Sequence, residues 1–229
     1  MLQPTLIFGD CLQHLSALSA ADILLSDPPY GINYKVNERK MADRGHKLKA
    51  TKMTVTVERA VIRGDARPFD PAPWLAFGKI ALFGAEHFAP RLPEGGRWIV
   101  WDKRRDSKPD DHSDCELVWT NVKGAHRIHR QKWRGVVREG EENCSRSKKL
   151  HPNQKPVALL TFLLEQLGAA AGQTVADPFM GSGSTGIAAL RAGLGFIGCE
   201  SDTAHFETAR ARFVREGYSP NIVTSRAAA

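Results

Sequence analysis

The segment Ser26-Asp27-Pro28-Pro29-Tyr30 sets a carboxylate, two prolines and an aromatic ring in five consecutive residues. An amine attached to a conjugated ring is a poor nucleophile, because its lone pair is delocalised. Two acceptors that hold both of its hydrogens out of plane restore that lone pair as a bond forms. The Asp27 carboxylate and the Pro28 carbonyl can serve as such a pair. Pro28 and Pro29 stiffen the loop and remove competing N–H donors, and Tyr30 offers a face for stacking. Taken alone, the segment also fits an ordinary Asp-Pro surface turn.

A second stretch, Asp177-Pro178-Phe179-Met180-Gly181-Ser182-Gly183-Ser184-Thr185-Gly186, is rich in glycine. Gly181, Gly183 and Gly186 match the dinucleotide fingerprint, and an acidic residue, Glu200, follows at the end of the next expected strand. By itself this pattern suits a nicotinamide enzyme almost as well as any other nucleoside binder. Asp177 shifts the balance, since a carboxylate at a strand end suits an amino-acid ammonium better than a pyrophosphate. Glu200 can take both hydroxyls of a ribose. Asp110, Asp111 and His112 suggest a metal at first sight, but no second His or Cys arrives at ligand spacing.

Both stretches need strand ends to hold them. Ala21 to Leu25 is an apolar run ending at the first, and Thr174 to Ala176 precedes the second. Leu6 to Phe8, Leu82 to Gly84, Trp98 to Asp102 and Gly195 to Cys199 also read as strands. Helical spacing appears at Cys11 to Leu18, Val157 to Leu167, 184–192 and 203–215. Glu116 to Thr120 and Ala125 to Arg130 suggest a terminal antiparallel pair. Residues 31–65 are polar and aperiodic, a loop long enough to imply a function. The tail from Ser219 to Ala229 reads as frayed. Alternating strands and helices predict a doubly wound α/β sheet, whose ligands gather at the carboxyl ends of its strands.

These motifs resemble the S-adenosylmethionine-dependent DNA amino-methyltransferases, N6-adenine or N4-cytosine. With the Asp-Pro-Pro-Tyr motif first and the glycine motif last, the chain is similar to the circularly permuted β class. The resemblance implies one methyltransferase domain over residues 1–229, built on a mostly parallel, seven-stranded Rossmann-like sheet with one antiparallel strand near an edge. Leu6 to Phe8 would then lie beside the strand ending at Cys199. It also implies roles for residues. Asp27, Pro28, Pro29 and Tyr30 would receive an extruded base. Asp10, and Cys11 through its backbone, would lie against the cofactor's adenine, although Asp10 equally suits a helix N-cap. Asp27, Asp177, Phe179, Gly181, Ser182, Gly183, Ser184, Thr185 and Glu200 would complete the cofactor site. His151-Pro152-Asn153-Gln154-Lys155-Pro156 resembles a segment that closes over the cofactor's methionine end, with Lys155 at its carboxylate or at the DNA backbone. No metal is implied. Adenine N6 is the first expectation and cytosine N4 the second. An RNA or protein-amide methyltransferase, a nicotinamide oxidoreductase and a non-catalytic DNA-binding module remain as rivals.

Charge supports a polyanionic partner. The net charge is +7, yet residues 35–52 carry +5 and residues 123–149 carry +6, which leaves −4 for the rest of the chain. A slightly acidic body with two basic segments suits a nucleic acid, and the resemblance implies that it is double-stranded DNA. Residues 131–150 would be a small target-recognition insertion, shorter than tight specificity usually requires. Trp133, amid His129, Arg130, Lys132 and Arg134, suits base stacking or plain packing. Scattered cysteines, no apolar stretch long enough for a membrane and no signal-peptide pattern point to the cytoplasm; a homodimer stays open.

Overall fold

The computed structural model describes residues 2–33, 64–105, 113–134, 137–140 and 154–224. Lys47, Lys49, Lys52, Asp110, Asp111, His112, Cys144, His151, Pro152 and Asn153, with most of the 31–65 loop, lie outside the described residues.

Eleven strands occur among the described residues: β1 (Thr5–Phe8), β2 (Ile23–Ser26), β3 (Lys79–Phe83), β4 (Arg97–Asp102), β5 (Cys115–Thr120), β6 (Arg127–Arg130), β7 (Trp133–Arg134), β8 (Val137–Arg138), β9 (Thr174–Asp177), β10 (Gly195–Glu200) and β11 (Asn221–Thr224). The α-helices described with them are α1 (Leu15–Leu18), α2 (Val157–Gln166), α3 (Ser184–Arg191) and α4 (Thr203–Arg215). Nine strands form one sheet in the order β11-β1-β10-β9-β2-β3-β5-β4-β6, while β7 and β8 make a separate two-stranded ribbon. All pairings in the large sheet are parallel except those of β5, which runs against both β3 and β4. The sheet thus holds the seven strands the resemblance implies, plus β11 and β6 at its two edges.

Alternation along the strands explains the layers. Leu6, Ile23, Leu25, Ala81 and Phe83 point into a core shared with α2, α3 and α4. Ile7, Leu24, Ile80 and Leu82 point into a second core with Leu18, Trp74, Phe77 and Phe88. Strands buried on both faces read as continuous apolar runs, as β2 does. Trp101 is buried as expected of a core strand, and its ring N–H donates to the Gln131 carbonyl.

Three expectations are corrected or refined. The β5 and β6 segments do not pair with one another: β5 inserts between β3 and β4, and β6 lies parallel to β4. The tail is not wholly frayed, because Asn221–Thr224 forms a parallel ladder with β1. Cys11 to Leu18 is a 3-10 turn, Cys11–His14, followed by the short α1. The placement of β1 against β10 agrees with the expectation, with Leu6 opposite Gly198 and Phe8 opposite Glu200.

Candidate active site

One edge of the sheet collects the motif residues. β1, β2, β3, β4, β9 and β10 all end there, and β5, running the other way, begins there. Asp27 follows β2, Asp177 ends β9, Glu200 ends β10, and Asp10 follows β1. The antiparallel β5 brings Glu116, near its start, to the same edge.

The two motifs touch. The Ser26 hydroxyl donates to Asp177 Oδ1 at 2.6 Å, across 151 positions of sequence. The Phe179 backbone N–H donates to the same oxygen at 3.1 Å. Burial pushes the Asp177 carboxyl up to about 6, against the hydrogen bonds from Ser26, Thr185 and Phe179. Gly181 and Gly183 take left-handed backbone, φ 52° and 77°. The Glu200 carboxylate clamps this turn, accepting from Gly181 N–H at 2.9 Å and Asp202 N–H at 2.8 Å. Each of its oxygens keeps a further lone pair for a ligand.

Side chains in the turn face inward. Ser182 and Ser184 are buried, and Arg212 of α4 donates to the Ser182 carbonyl at 3.2 Å and the Ser184 hydroxyl at 2.8 Å. The missing Cβ of Gly183 makes room for Phe213, whose ring would lie 2.7 Å from it. Gly186 clears Phe196 and Phe213 in the same way. Gly183 thus lets α4 pack against the turn, and Gly186 lets α3 pack against α4 and β10. The Phe179 ring meets Phe69 and Trp74 edge-on. Asp10 caps the first 3-10 turn through Leu12 N–H, and burial raises the neighbouring Cys11 thiol to about 12.

Around Asp27 the chemistry is different. Its Oδ1 accepts from the Tyr30 hydroxyl at 2.6 Å, and its Oδ2 lies 2.8 Å from Lys155 Nζ. Lys155 Nζ is also 2.8 Å from Glu116 Oε2, and Glu116 Oε1 is 3.1 Å from Lys103 Nζ. The Lys155 ammonium sits 4.8 Å above the Phe83 ring. Burial pushes the Asp27 carboxyl up, Lys155 pulls it down, and Glu116 adds to the rise; the net direction is upward. For Lys155, burial works against the charge, but Asp27 and Glu116 overcome it and hold the ammonium well above its ordinary value. Burial would likewise raise Glu116, yet the two ammoniums hold it below the usual carboxylate range. The Asp27 side chain is 23% exposed, so it remains reachable from outside.

Tyr30 is placed by residues the sequence did not single out. Its ring stacks on His87 at 5.3 Å with 25° between planes. A Cβ on Gly84, which has φ 61°, would meet that ring at 2.1 Å. Asp65 accepts from Gly31 N–H at 2.8 Å and Ile32 N–H at 3.3 Å, which pins the two ends of the 31–65 loop together beside Tyr30. Gln154 and Lys155 are buried ahead of α2. Trp133 donates its ring N–H to the Gln154 carbonyl at 3.0 Å and packs on the main core, which favours its packing role.

A mostly parallel α/β sheet that gathers a glycine turn and an Asp-Pro-Pro-Tyr loop at the carboxyl ends of its strands is a ligand-binding α/β architecture. Residues 97–211, half of the chain, match the family model described as DNA methylase, of the N6 and N4 amino-methyltransferases. The chain belongs to that family, whose methyl donor is S-adenosylmethionine. The matched span runs from β4 into α4 and begins after Asp27. Over 121 residues the chain is 31% identical to the type II methyltransferase M2.DpnII of Streptococcus pneumoniae, covering 52% of this chain and 42% of that protein. The match therefore spans about two fifths of the relative's length. Among solved structures, TTHA0409 of Thermus thermophilus, complexed with S-adenosyl-L-methionine, superimposes with a TM-score of 0.58 at 19% identity, covering 96% of this chain and 99% of that one. The cytosine-N4-specific PvuII DNA methyltransferase gives 0.58 at 14% identity, covering 95% and 88%. At these identities the structures speak to the fold alone. Among the described residues no helix is long and apolar enough to cross a membrane.

Proposed function

We propose that this chain methylates an exocyclic base amine in double-stranded DNA, adenine N6 in the first instance. The observation that carries this reading is the Asp27 carboxylate. It is partly exposed at the end of β2, beside a Tyr30 ring, and joined through Ser26 to the glycine motif's own carboxylate. Bound S-adenosylmethionine supplies an electrophilic methyl group on sulfur.

The protein's residues divide the remaining work. Asp177, Gly181 and Phe179 would hold the donor's amino-acid end, Glu200 its ribose, and Asp10 with the Cys11 backbone its adenine. Lys155 is paired with Asp27 at 2.8 Å. Asp27 and the Pro28 carbonyl accept the two amine hydrogens. The amine nitrogen would attack the donor's methyl carbon, forming a C–N bond as the C–S bond breaks and leaves its electron pair on sulfur. The methylated nitrogen then passes one proton to Asp27, and from there to water. Catalysis rests on alignment and on acceptors set for the developing positive charge. Tyr30, backed by His87, stacks on the flipped base.

Basic residues near this edge favour DNA. Arg130 ends β6 and Lys132 lies just beyond it, and the 131–150 segment serves as the target-recognition element. The test is transfer of labelled methyl to plasmid DNA, followed by nucleoside analysis. N6-methyladenine is the expected product. N4-methylcytosine would move the assignment to cytosine, and label in neither nucleoside would overturn the DNA reading.

A further inference from the structure

Lys155 poses a problem that Asp27 alone does not solve. Its side chain is 10% exposed, with the Phe83 ring beneath the ammonium. A buried ammonium stays charged only while an anion faces it. Asp27 is one such anion, but on the proposed reaction Asp27 must turn to a base amine and then take a proton. At that moment its hold on Lys155 weakens. Glu116 is the other anion at 2.8 Å, and its second oxygen is anchored by Lys103 at 3.1 Å. Two carboxylates and two ammoniums make a neutral quartet, and within it Asp27 is the member that the proposed reaction turns to the base.

We propose that Glu116 is a positioning residue for methyl transfer: it keeps Lys155 charged and fixed, so that Asp27 is free to engage the base and take up its proton. The proposal rests on the function argued above. Glu116 acts through Lys155 and touches neither base nor donor. The charged and titratable groups facing this cluster are Lys155 ahead of α2, Lys103 after β4, Tyr30 on the catalytic loop and Asp177 at the end of β9. Without Glu116, the only anion among the described residues within salt-bridge distance of Lys155 would be Asp27, and the acceptor would be locked in an ion pair.

The experiment has two arms. The first follows the Lys155 ammonium by nitrogen NMR against pH and needs no substrate. In Asp27→Asn, which withdraws the Asp27 charge, Lys155 should stay protonated to about pH 10 because Glu116 remains. In Asp27→Asn with Glu116→Gln, a buried lysine without an anion should lose its proton some 3 units lower, at about pH 7. Deprotonation near neutrality in Asp27→Asn alone would overturn the proposal, and so would an unchanged Lys155 in the double variant. The single variant keeps the test decisive if the double variant does not fold. The second arm measures single-turnover methyl transfer at saturating DNA and donor. Glu116→Gln should slow it by about tenfold or more, with dissociation constants for both ligands within about threefold, and Glu116→Asp should recover part of the rate. Loss of rate matched by equal loss of affinity would reduce Glu116 to a structural role and overturn the proposal. If the wild-type chain transfers no methyl to DNA, the functional reading fails, and the first arm still decides whether Glu116 holds Lys155.

Discussion

The site edge of the sheet is divided between two electrostatic schemes. Around β9 and β10, the carboxylates Asp177 and Glu200 are satisfied by hydroxyls and backbone N–H groups: Ser26, Phe179, Gly181 and Asp202. Among the described residues no ammonium or guanidinium is bonded to either carboxylate, and burial lifts Asp177 to about 6. Around β2 and β5, the carboxylates Asp27 and Glu116 are bonded to ammoniums. The first region leaves its negative charge uncompensated, as suits a ligand that brings its own ammonium and sulfonium. The second supplies its own cations, as suits a carboxylate that must stay ionised beside a neutral base.

Removing the acceptor tests that division most severely. Asp27→Ala should lower methyl transfer by about a hundredfold or more, while calorimetry finds donor affinity within a few-fold of wild type. A matching loss of donor affinity would merge the two regions into one.

Gly183→Val tests the packing side of the first region. The left-handed φ of 77° and the Phe213 ring 2.7 Å from the added Cβ both oppose it. Strain and overpacking together should cost about 2–4 kcal/mol of stability, read by thermal unfolding. Normal stability with lost donor binding would return Gly183 to a direct ligand role.

Asp177 should show opposite effects on stability and binding. Its folded carboxyl lies above the ordinary 3.8, so its stability contribution is present below that pH and is lost as pH rises through about 6. Asp177→Asn should therefore raise the ligand-free melting temperature at about pH 7.5 and not at about pH 4, by roughly 2–4 °C per kcal/mol relieved. The same change should weaken donor binding. In the wild type, calorimetric affinity should fall as pH drops through about 6, because the ligand's ammonium needs the ionised carboxylate.

Tyr30 belongs to the second region twice, by its ring on His87 and by its hydroxyl on Asp27. Tyr30→Ala should cost about 1–3 kcal/mol in DNA-dependent steps, the range for base–aromatic stacking, and Tyr30→Phe about 1 kcal/mol for one hydrogen bond. Equal losses would assign the whole effect to the phenol. The smallest change is expected from the surface. Neutralising Arg130 and Lys132 should lower the slope of log affinity against log salt by about 1.8, or 0.9 per phosphate contact, with little effect on the chemical step at saturation. An unchanged slope would show that neither cation meets a phosphate.

Much of this division was legible in the sequence, because each motif is contiguous and each follows an apolar run. β2, β9, β10, α3 and α4 lie within a residue or two of where periodicity put them. Strand partners were not legible. Nothing within Cys115 to Thr120 says that it inserts between β3 and β4, since pairing is decided by which edges are free after the chain folds. β11 was missed because four mostly exposed residues carry no amphipathic signal; its ladder with β1 holds it. Glu116 and Lys103 were missed for a related reason. A lone glutamate at a strand start and a lysine after another strand look like solvent-facing charges until β5 reverses and brings them to Lys155. The glycines were seen, but not that a Cβ on Gly183 would meet Phe213, a residue thirty positions away.

On the proposed function, the Ser26–Asp177 hydrogen bond would join the donor and DNA halves of the site in one linked equilibrium. A donor that draws on Asp177 alters what Ser26 holds, and Ser26 is bonded in sequence to Asp27. Whatever free energy the donor adds to DNA binding through this contact, DNA must return to donor binding in equal measure. Ser26→Ala removes the shared hydrogen while leaving both carboxylates in place. The ratio of donor affinities with and without DNA should then move toward one, and the ratio of DNA affinities with and without donor should move by the same factor.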